Sequence, residues 1–190
     1  MEFKFLDVFS RSLSLELPKY ETMYEYLDFI IPLVRPWGED IDEMEYYSQE
    51  GGKPWMEIRE DESFHDVILH FFNEGGEYLR SVNGNMTKGK WRILEQSNKI
   101  IIEAGNVSEL YELSYLDGVF FILRKHGDHH TNPKRKYFTL GDERVMTDLI
   151  WRDYVEALYN TYRNKAVLFR TLVYAAMIFV VAIILFAIFY

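Results

Sequence analysis

Residues 110–125 read LYELSYLDGVFFILRK. Two runs rich in aromatic and large apolar residues flank Asp117-Gly118, a dipeptide that favours a tight turn between antiparallel strands. A second dipeptide of this kind, Asn83-Gly84, follows another strand-like run, and both of its residues tolerate the positive φ angles of a type I′ turn. These two hairpin signals predict that the middle of the chain is antiparallel β-structure.

Strand-like runs recur on both sides of these hairpins, and residues 51–141 form the predicted β domain. The runs cover residues 55–60, 64–72, 78–82, 89–94, 99–103, 110–116, 119–125 and 137–140. No helical segment interrupts them, which is typical of an antiparallel meander. Because a meander of seven or eight strands usually closes or curls to cover its edges, we expect a mainly β fold built around a barrel.

An acidic arm, residues 1–50, precedes the β domain. From Tyr20 its apolar residues recur at three- and four-residue steps, which predicts an amphipathic helix. The strand pattern of the β domain needs no helix to complete it, so the apolar side of this helix must cover a barrel opening, an edge strand or a partner protein. We expect a protein-interaction surface on the stripe Tyr24, Leu27, Ile31 and Val34.

The C-terminal part reads as an amphipathic helix over 142–165 followed by a membrane anchor over 166–190. Residues 171–190, TLVYAAMIFVVAIILFAIFY, contain no charge, proline or glycine. A helix of this length covers ~30 Å, about the hydrocarbon thickness of a bilayer. No proline or glycine interrupts 142–190, so one continuous helix is expected.

Charge predicts on which side of the membrane the barrel lies. Arg163, Lys165 and Arg170 precede the apolar run, and positive flanks stay in the cytoplasm. The N-terminal segment lacks the apolar core of a signal peptide, because Asp7 and Arg11 interrupt it. We therefore expect a single-pass, tail-anchored protein that binds the lipid bilayer through 166–190 and has its soluble part in the cytoplasm.

Composition excludes several classes of function. The net charge is −9, and residues 1–50 carry four Lys/Arg against twelve Asp/Glu. An acidic surface of this kind is unsuited to nucleic acid, which attracts basic proteins. The chain has no cysteine, which rules out disulfides, thiolate metal sites and thiol catalysis.

Three stretches of the β domain, residues 71–78, 89–91 and 98–102, resemble small lipocalin-like domains of bacterial proteins, often from Bacteroidetes. Residues 111–113 and 121–123 match the strands that follow in those domains. The resemblance covers roughly residues 52–140, and it implies a barrel that carries or senses a small apolar ligand. The implied ligand-binding residues are Trp91, Tyr111 and Phe121. Unlike in lipocalins, the Gly-x-Trp motif lies in the middle of this chain.

Other candidate sites are weaker. His126, His129 and His130 lie close enough in sequence to bind a metal ion, but a solvated turn explains this basic loop as well. His70 and His65 lie on opposite faces of one predicted strand and form no joint site. The motifs of phosphate-binding loops, serine hydrolases and zinc proteases are absent, so no cofactor is expected.

Two functions from different classes remain. The first is a non-enzymatic, membrane-anchored β domain that binds another protein, and the alternative is a carrier or sensor of a small apolar ligand. The barrel interior separates them. An interior filled by Trp91, Tyr111 and Phe121 favours the interaction module, whereas a dry apolar cavity of ~300 Å³ or more favours the carrier.

Overall fold

The computed structural model describes residues 17–42, 52–61, 66–94, 97–127 and 136–189. In these residues eight strands form one closed antiparallel barrel, in which each strand pairs with the next and the last pairs with the first. The strands are β1 Trp55–Glu57, β2 Ile68–Asn73, β3 Glu77–Val82, β4 Asn85–Leu94, β5 Lys99–Ala104, β6 Val107–Leu116, β7 Phe120–Lys125 and β8 Tyr137–Asp142. The predicted mainly β meander and its closure are confirmed.

Both predicted hairpin turns join neighbouring strands. Between β3 and β4, Asn83 and Gly84 have φ angles of 50° and 85°, as a type I′ turn requires. Between β6 and β7, one carboxylate oxygen of Asp117 accepts hydrogen bonds from two backbone N–H groups of the turn, each at 2.8 Å. The side chain thus supplies the bonds that hold the β6–β7 turn.

One wall of the barrel is apolar on both faces. A β-bulge in β6 lies between Leu113 and Tyr115, so Leu113 and Leu116 face the interior while Tyr115 faces outward. Phe120 and Ile122 of β7 also face outward. This outer apolar surface needs a cover to remain out of water.

Two helices supply that cover, contrary to the expectation that the strands need none. Helix α1, Met23–Val34, and the first part of a long C-terminal helix pack on the wall and on each other. The buried side chains of α1 are Met23, Tyr26, Leu27, Ile30, Leu33 and Val34. The helices and the outer wall therefore form a second core, separate from the barrel interior.

The sequence predicts one continuous helix from residue 142, but the structure has two helices there. Asp142 ends β8 and caps a short helix α2, Glu143–Met146, whose Thr147 hydroxyl donates to the Glu143 carbonyl at 2.6 Å. The chain then turns, and helix α3 runs from Trp151 to Phe189. Packing accounts for the break between the two helices, because it lets the buried Met146 side chain pack against the backbone of Gly141.

Helix α3 contains one candidate membrane span. The part from Trp151 to Ala187 is long enough and apolar enough to cross a bilayer. The most apolar part of this span is not buried against any described residue. In the first turns of α3, by contrast, Tyr154 is buried and its hydroxyl donates to the Leu140 carbonyl at 3.0 Å.

One end of the barrel is plugged. Ile41, from the segment after α1, is fully buried in the interior cluster, and its backbone N–H donates to the Asn98 side chain at 3.1 Å. Near the same end, the Trp91 indole N–H donates to the Asn73 carbonyl at 2.8 Å. Gly89 of the Gly-x-Trp motif has no room for a side chain, because a Cβ there would collide with the Glu103 carbonyl.

Candidate functional site

The other end of the barrel, which we call the mouth, is open. A cavity of about 430 Å³ lies there between the strand ends of β1, β6, β7 and β8 and the first turn of α1. Six of its fourteen lining residues are charged, four carboxylates and two cations: Glu57, Glu60, Asp61, Glu109, Arg59 and Lys125. The mouth is therefore polar, unlike the apolar interior below it.

A chain of hydrogen bonds starts at Glu57 and runs into the barrel. Glu57 Oε2 lies 3.0 Å from His70 Nε2, and His70 Nδ1 lies 2.6 Å from the Tyr78 hydroxyl. The other Glu57 oxygen accepts from Arg59 Nε at 2.6 Å. The His70 side chain is 2% exposed, and the Phe138 ring packs edge-on against the imidazole at 4.9 Å. β1 and β2 place Glu57 and His70 because both residues occupy inward positions of alternating strands.

The pKa shifts of Glu57 and His70 determine which atoms of this hydrogen-bond series carry protons. Burial would raise the pKa of the Glu57 carboxyl, but hydrogen bonds from His70 and Arg59 outweigh it and lower that pKa to about 2. Burial lowers the pKa of His70, so the imidazole is neutral at pH 7. A neutral imidazole has one donor and one acceptor nitrogen, so Nε2–H donates to Glu57 and Nδ1 accepts from Tyr78.

A second polar group lies on the opposite strands, β6 and β7. The Tyr111 hydroxyl donates to Glu109 Oε2 at 2.5 Å, and the other oxygen of that carboxylate pairs with the Lys125 ammonium group. Burial and the Glu109 carboxylate raise the pKa of Tyr111, which keeps its proton. The carboxylates of Glu57 and Glu109 are thus both held in place by hydrogen bonds.

Helix α1 forms another side of the cavity. The Met23 N–H donates to a Glu60 oxygen at 3.0 Å, which fixes the start of the helix to the segment after β1. The Tyr137 hydroxyl donates to Asp28 of α1 at 2.6 Å. Aromatic rings line the cavity from both the helix and the strands: Tyr24, Tyr111, Tyr137 and Phe138.

The three residues that the resemblance implies as ligand-binding are only partly at this cavity. Trp91, Tyr111 and Phe121 belong to the same buried interior cluster. Of the three, Tyr111 lines the cavity, whereas Trp91 and Phe121 help to fill the barrel below it. This cavity therefore lies at the mouth, above Trp91 and Phe121.

The stripe predicted as an interaction surface is largely covered by the chain itself. Leu27 and Val34 are each 1% exposed, because they pack against the outer barrel wall and α3. Tyr24 and Ile31 are half-buried, and Tyr24 lines the cavity together with Leu27. An interaction role stays a prediction for Tyr24 and Ile31, while Leu27 and Val34 offer no surface in this arrangement.

The remaining predicted residues lie away from the mouth. Arg163, Lys165 and Arg170 are on α3, next to its apolar part. His126 is exposed, and the described ranges contain no group of three His, Asp or Glu side chains placed to hold a metal ion. His129 and His130 lie outside the described residues.

Sequence reasoning missed Glu57, His70 and Tyr78. A detectable signal exists, because Glu57 follows Trp55 at a two-residue step and His70 lies between Ile68 and Phe72 at the same spacing. A polar residue on the inward side of an alternating strand is costly unless it has a partner. Such positions mark candidates for a buried polar network.

Comparisons with protein families, with curated proteins and with solved structures find no match for this chain.

Proposed function

We propose that this chain is a membrane-anchored, lipocalin-like barrel that binds a small, positively charged organic molecule at its mouth and catalyses no reaction. The open cavity of about 430 Å³ at the end of a packed and plugged barrel carries this proposal. Cavities of roughly 300–1,000 Å³ are typical of small-molecule sites. An eight-stranded barrel is just wide enough for side chains to fill its interior, which leaves the mouth as the place for a ligand.

The charge of the lining supports a cation. Arg59 and Lys125 are each paired with a carboxylate, Glu57 and Glu109. The lining as a whole carries four carboxylates and two cations, so its formal charge is negative. Fields in a concave, low-dielectric site concentrate ligands of the opposite sign.

The aromatic lining supports the same ligand class. Four aromatic rings border a cavity of this size, and the face of such a ring attracts an ammonium group within ≈ 6 Å of its centroid. A ligand without polar groups gains little from a lining of six charged side chains. The mouth therefore favours a polar amine over the apolar ligand that the lipocalin resemblance implies.

The location is proposed from α3. Its apolar part would cross the bilayer, and Arg163, Lys165 and Arg170 would remain on the cytoplasmic side. The barrel would then face the cytoplasm, where small organic cations are dissolved in water and can reach the mouth.

A thermal melt of the full chain in mild detergent tests the binding proposal. Tryptophan fluorescence follows unfolding in the presence of choline, spermidine or the anion citrate. At ~10 mM, a cation with a Kd of ~1 mM stabilises the folded chain by about 1.4 kcal/mol. For a domain of this size we expect a rise in Tm of about 3–6 °C, and no rise with citrate.

A pair of matched variants locates the effect. Glu60→Gln with Asp61→Asn neutralises two of the four carboxylates in the lining, which removes its excess negative charge, and should abolish the shift. Glu77→Gln with Glu112→Gln neutralises two carboxylates on the exposed barrel wall, where the two side chains are 44% and 38% exposed, and should leave the shift intact. A shift with citrate alone, no shift with any cation, or equal shifts in both variants would contradict the proposal.

A further inference from the structure

Trp37 differs from the other tryptophans in its exposure. It ends a short 3₁₀ helix, Arg35–Trp37, which directly follows α1, and it is 37% exposed. The other three, Trp55, Trp91 and Trp151, are 0%, 5% and 4% exposed. Singly exposed apolar residues are ordinary on a protein surface, so the neighbours of Trp37 decide what its exposure means.

Two contacts place Trp37 against α3 just before its apolar run. The Trp37 ring lies 6.0 Å from the Phe169 ring, at an interplanar angle of 70°. The Trp37 carbonyl accepts a hydrogen bond from Lys165 Nζ at 3.4 Å. From this level onward α3 presents exposed apolar side chains, including Leu168 at 62% and Leu172 at 60%.

The surroundings of Trp37 match the boundary between bilayer and water. Tryptophan is enriched there because its ring is apolar and its N–H is polar. Lys165 and Arg170 lie within one and a half turns of Phe169 on the same helix, and long basic side chains at such places keep their charge in the headgroup region. No partner protein is needed to explain the exposed ring.

We propose that the Arg35–Gly38 turn lies in the headgroup region of the membrane that α3 enters, and that it holds the plugged end of the barrel toward the bilayer. The segment after Trp37 is fixed to that end, since a Cβ on Gly38 would touch the Tyr115 ring and the Glu39 N–H donates to the Leu116 carbonyl at 2.8 Å. The mouth lies at the other end of α1, a helix of 12 residues. At ~1.5 Å per residue α1 is about 18 Å long, so the mouth lies up to about that distance from the Arg35–Gly38 turn.

This orientation rests on the membrane anchor of the proposed function, but not on its ligand. Its consequence is that the mouth opens to water, so a dissolved ligand enters without crossing lipid. The exposed face of Trp37 is the feature that a measurement can address, because the other tryptophans are shielded by the chain.

The test uses the full chain in phosphatidylcholine vesicles, with and without lipids that carry bromine near the top of their acyl chains. Bromine quenches tryptophan emission on contact. We expect quenching in the wild-type chain, and its loss in Trp37→Phe. Circular dichroism should show the same β signal in both proteins, because residue 37 is exposed.

Alkaline carbonate extraction of the same vesicles separates the two ways of failing. A chain that stays in the membrane but shows no quenching, or shows the same quenching after Trp37→Phe, overturns the orientation and leaves the anchor intact. A chain that carbonate removes overturns the anchor, and the orientation with it.

Discussion

Replacing Glu57 by glutamine should change how acid affects the stability of the barrel. Glu57 has a pKa of about 2 in the folded chain, against 4.5 for a free carboxyl. Because each pKa unit corresponds to about 1.4 kcal/mol, the ionised carboxylate stabilises the folded chain by about 3 kcal/mol. The folded pKa is the lower one, so this stability is present above pH 4.5 and is lost as the pH falls toward 2.

Glu57→Gln keeps the shape and an oxygen that accepts from His70, but it removes the charge that holds Arg59. We therefore expect the variant to be about 3 kcal/mol less stable than wild type at pH 7 and nearly equal to it near pH 2. Urea unfolding of the full chain in mild detergent, followed by tryptophan fluorescence, measures both values. Trp55 and Trp91 report on the barrel because both are buried in its interior.

Glu77→Gln is the matched control. Like Glu57, Glu77 is a strand carboxylate with a basic partner, Lys88, but its side chain is 44% exposed. Its replacement should have a small effect that barely depends on pH. A difference between Glu57→Gln and wild type that stays the same from pH 7 to pH 2 would refute the role of the Glu57 charge.

Three further changes test the fold. Leu27→Asp should remove roughly 1.5–3 kcal/mol of burial and lower Tm far more than Ile31→Asp at a half-buried position; an unchanged Tm would return the stripe to a docking role. Gly89→Ala should lower the free energy of unfolding in urea by roughly 1–3 kcal/mol, since its Cβ would lie 3.0 Å from the Tyr78 ring and press on the β5 backbone. An unchanged free energy of unfolding would mean that β4 and β5 move apart easily to accept the methyl group. Deleting 166–190 should leave a soluble chain with a β signal in circular dichroism, and aggregation would show that the barrel needs the anchor.

The sequence predicts the barrel well because its local signals agree. Asn83-Gly84 and Asp117-Gly118 fix two hairpins, and period-two alternation marks the strands between them. Closure follows from the cost of exposed edges in a long meander. None of these inferences depends on contacts between distant residues.

The covering helices could not be predicted in the same way. The bulge in β6 reverses the alternation between Leu113 and Tyr115, so the sequence pattern alone does not show that Tyr115 and Phe120 meet on the outer wall. The sequence predicts an interaction surface on the apolar stripe of α1, because it does not reveal the barrel wall that the stripe covers. A helix stripe shows that a face is buried, but it does not show against what.

The candidate site is the least visible feature of the sequence. Glu57 and His70 are separated along the chain and become partners only through the β1–β2 register, where Trp55 lies opposite His70. Lys125 reaches Glu109 across the β6–β7 pair. Register and side-chain direction are set by the closed barrel as a whole. A single sequence therefore reveals which residue types are present, but not which of them are in contact.

The reactivity of a single cysteine at the mouth tests the central proposal most directly. The chain has no cysteine of its own, so Tyr24→Cys places one thiol on the cavity wall. A trimethylammonium-bearing thiol reagent should react there about 10-fold faster than a sulfonate-bearing one, since a site with excess negative charge concentrates cations, and choline should slow the reaction. At Lys88→Cys, on the exposed wall, the two rates should be similar and insensitive to choline. Equal rates at Tyr24→Cys, or a faster anionic reagent, would contradict a mouth that selects cations.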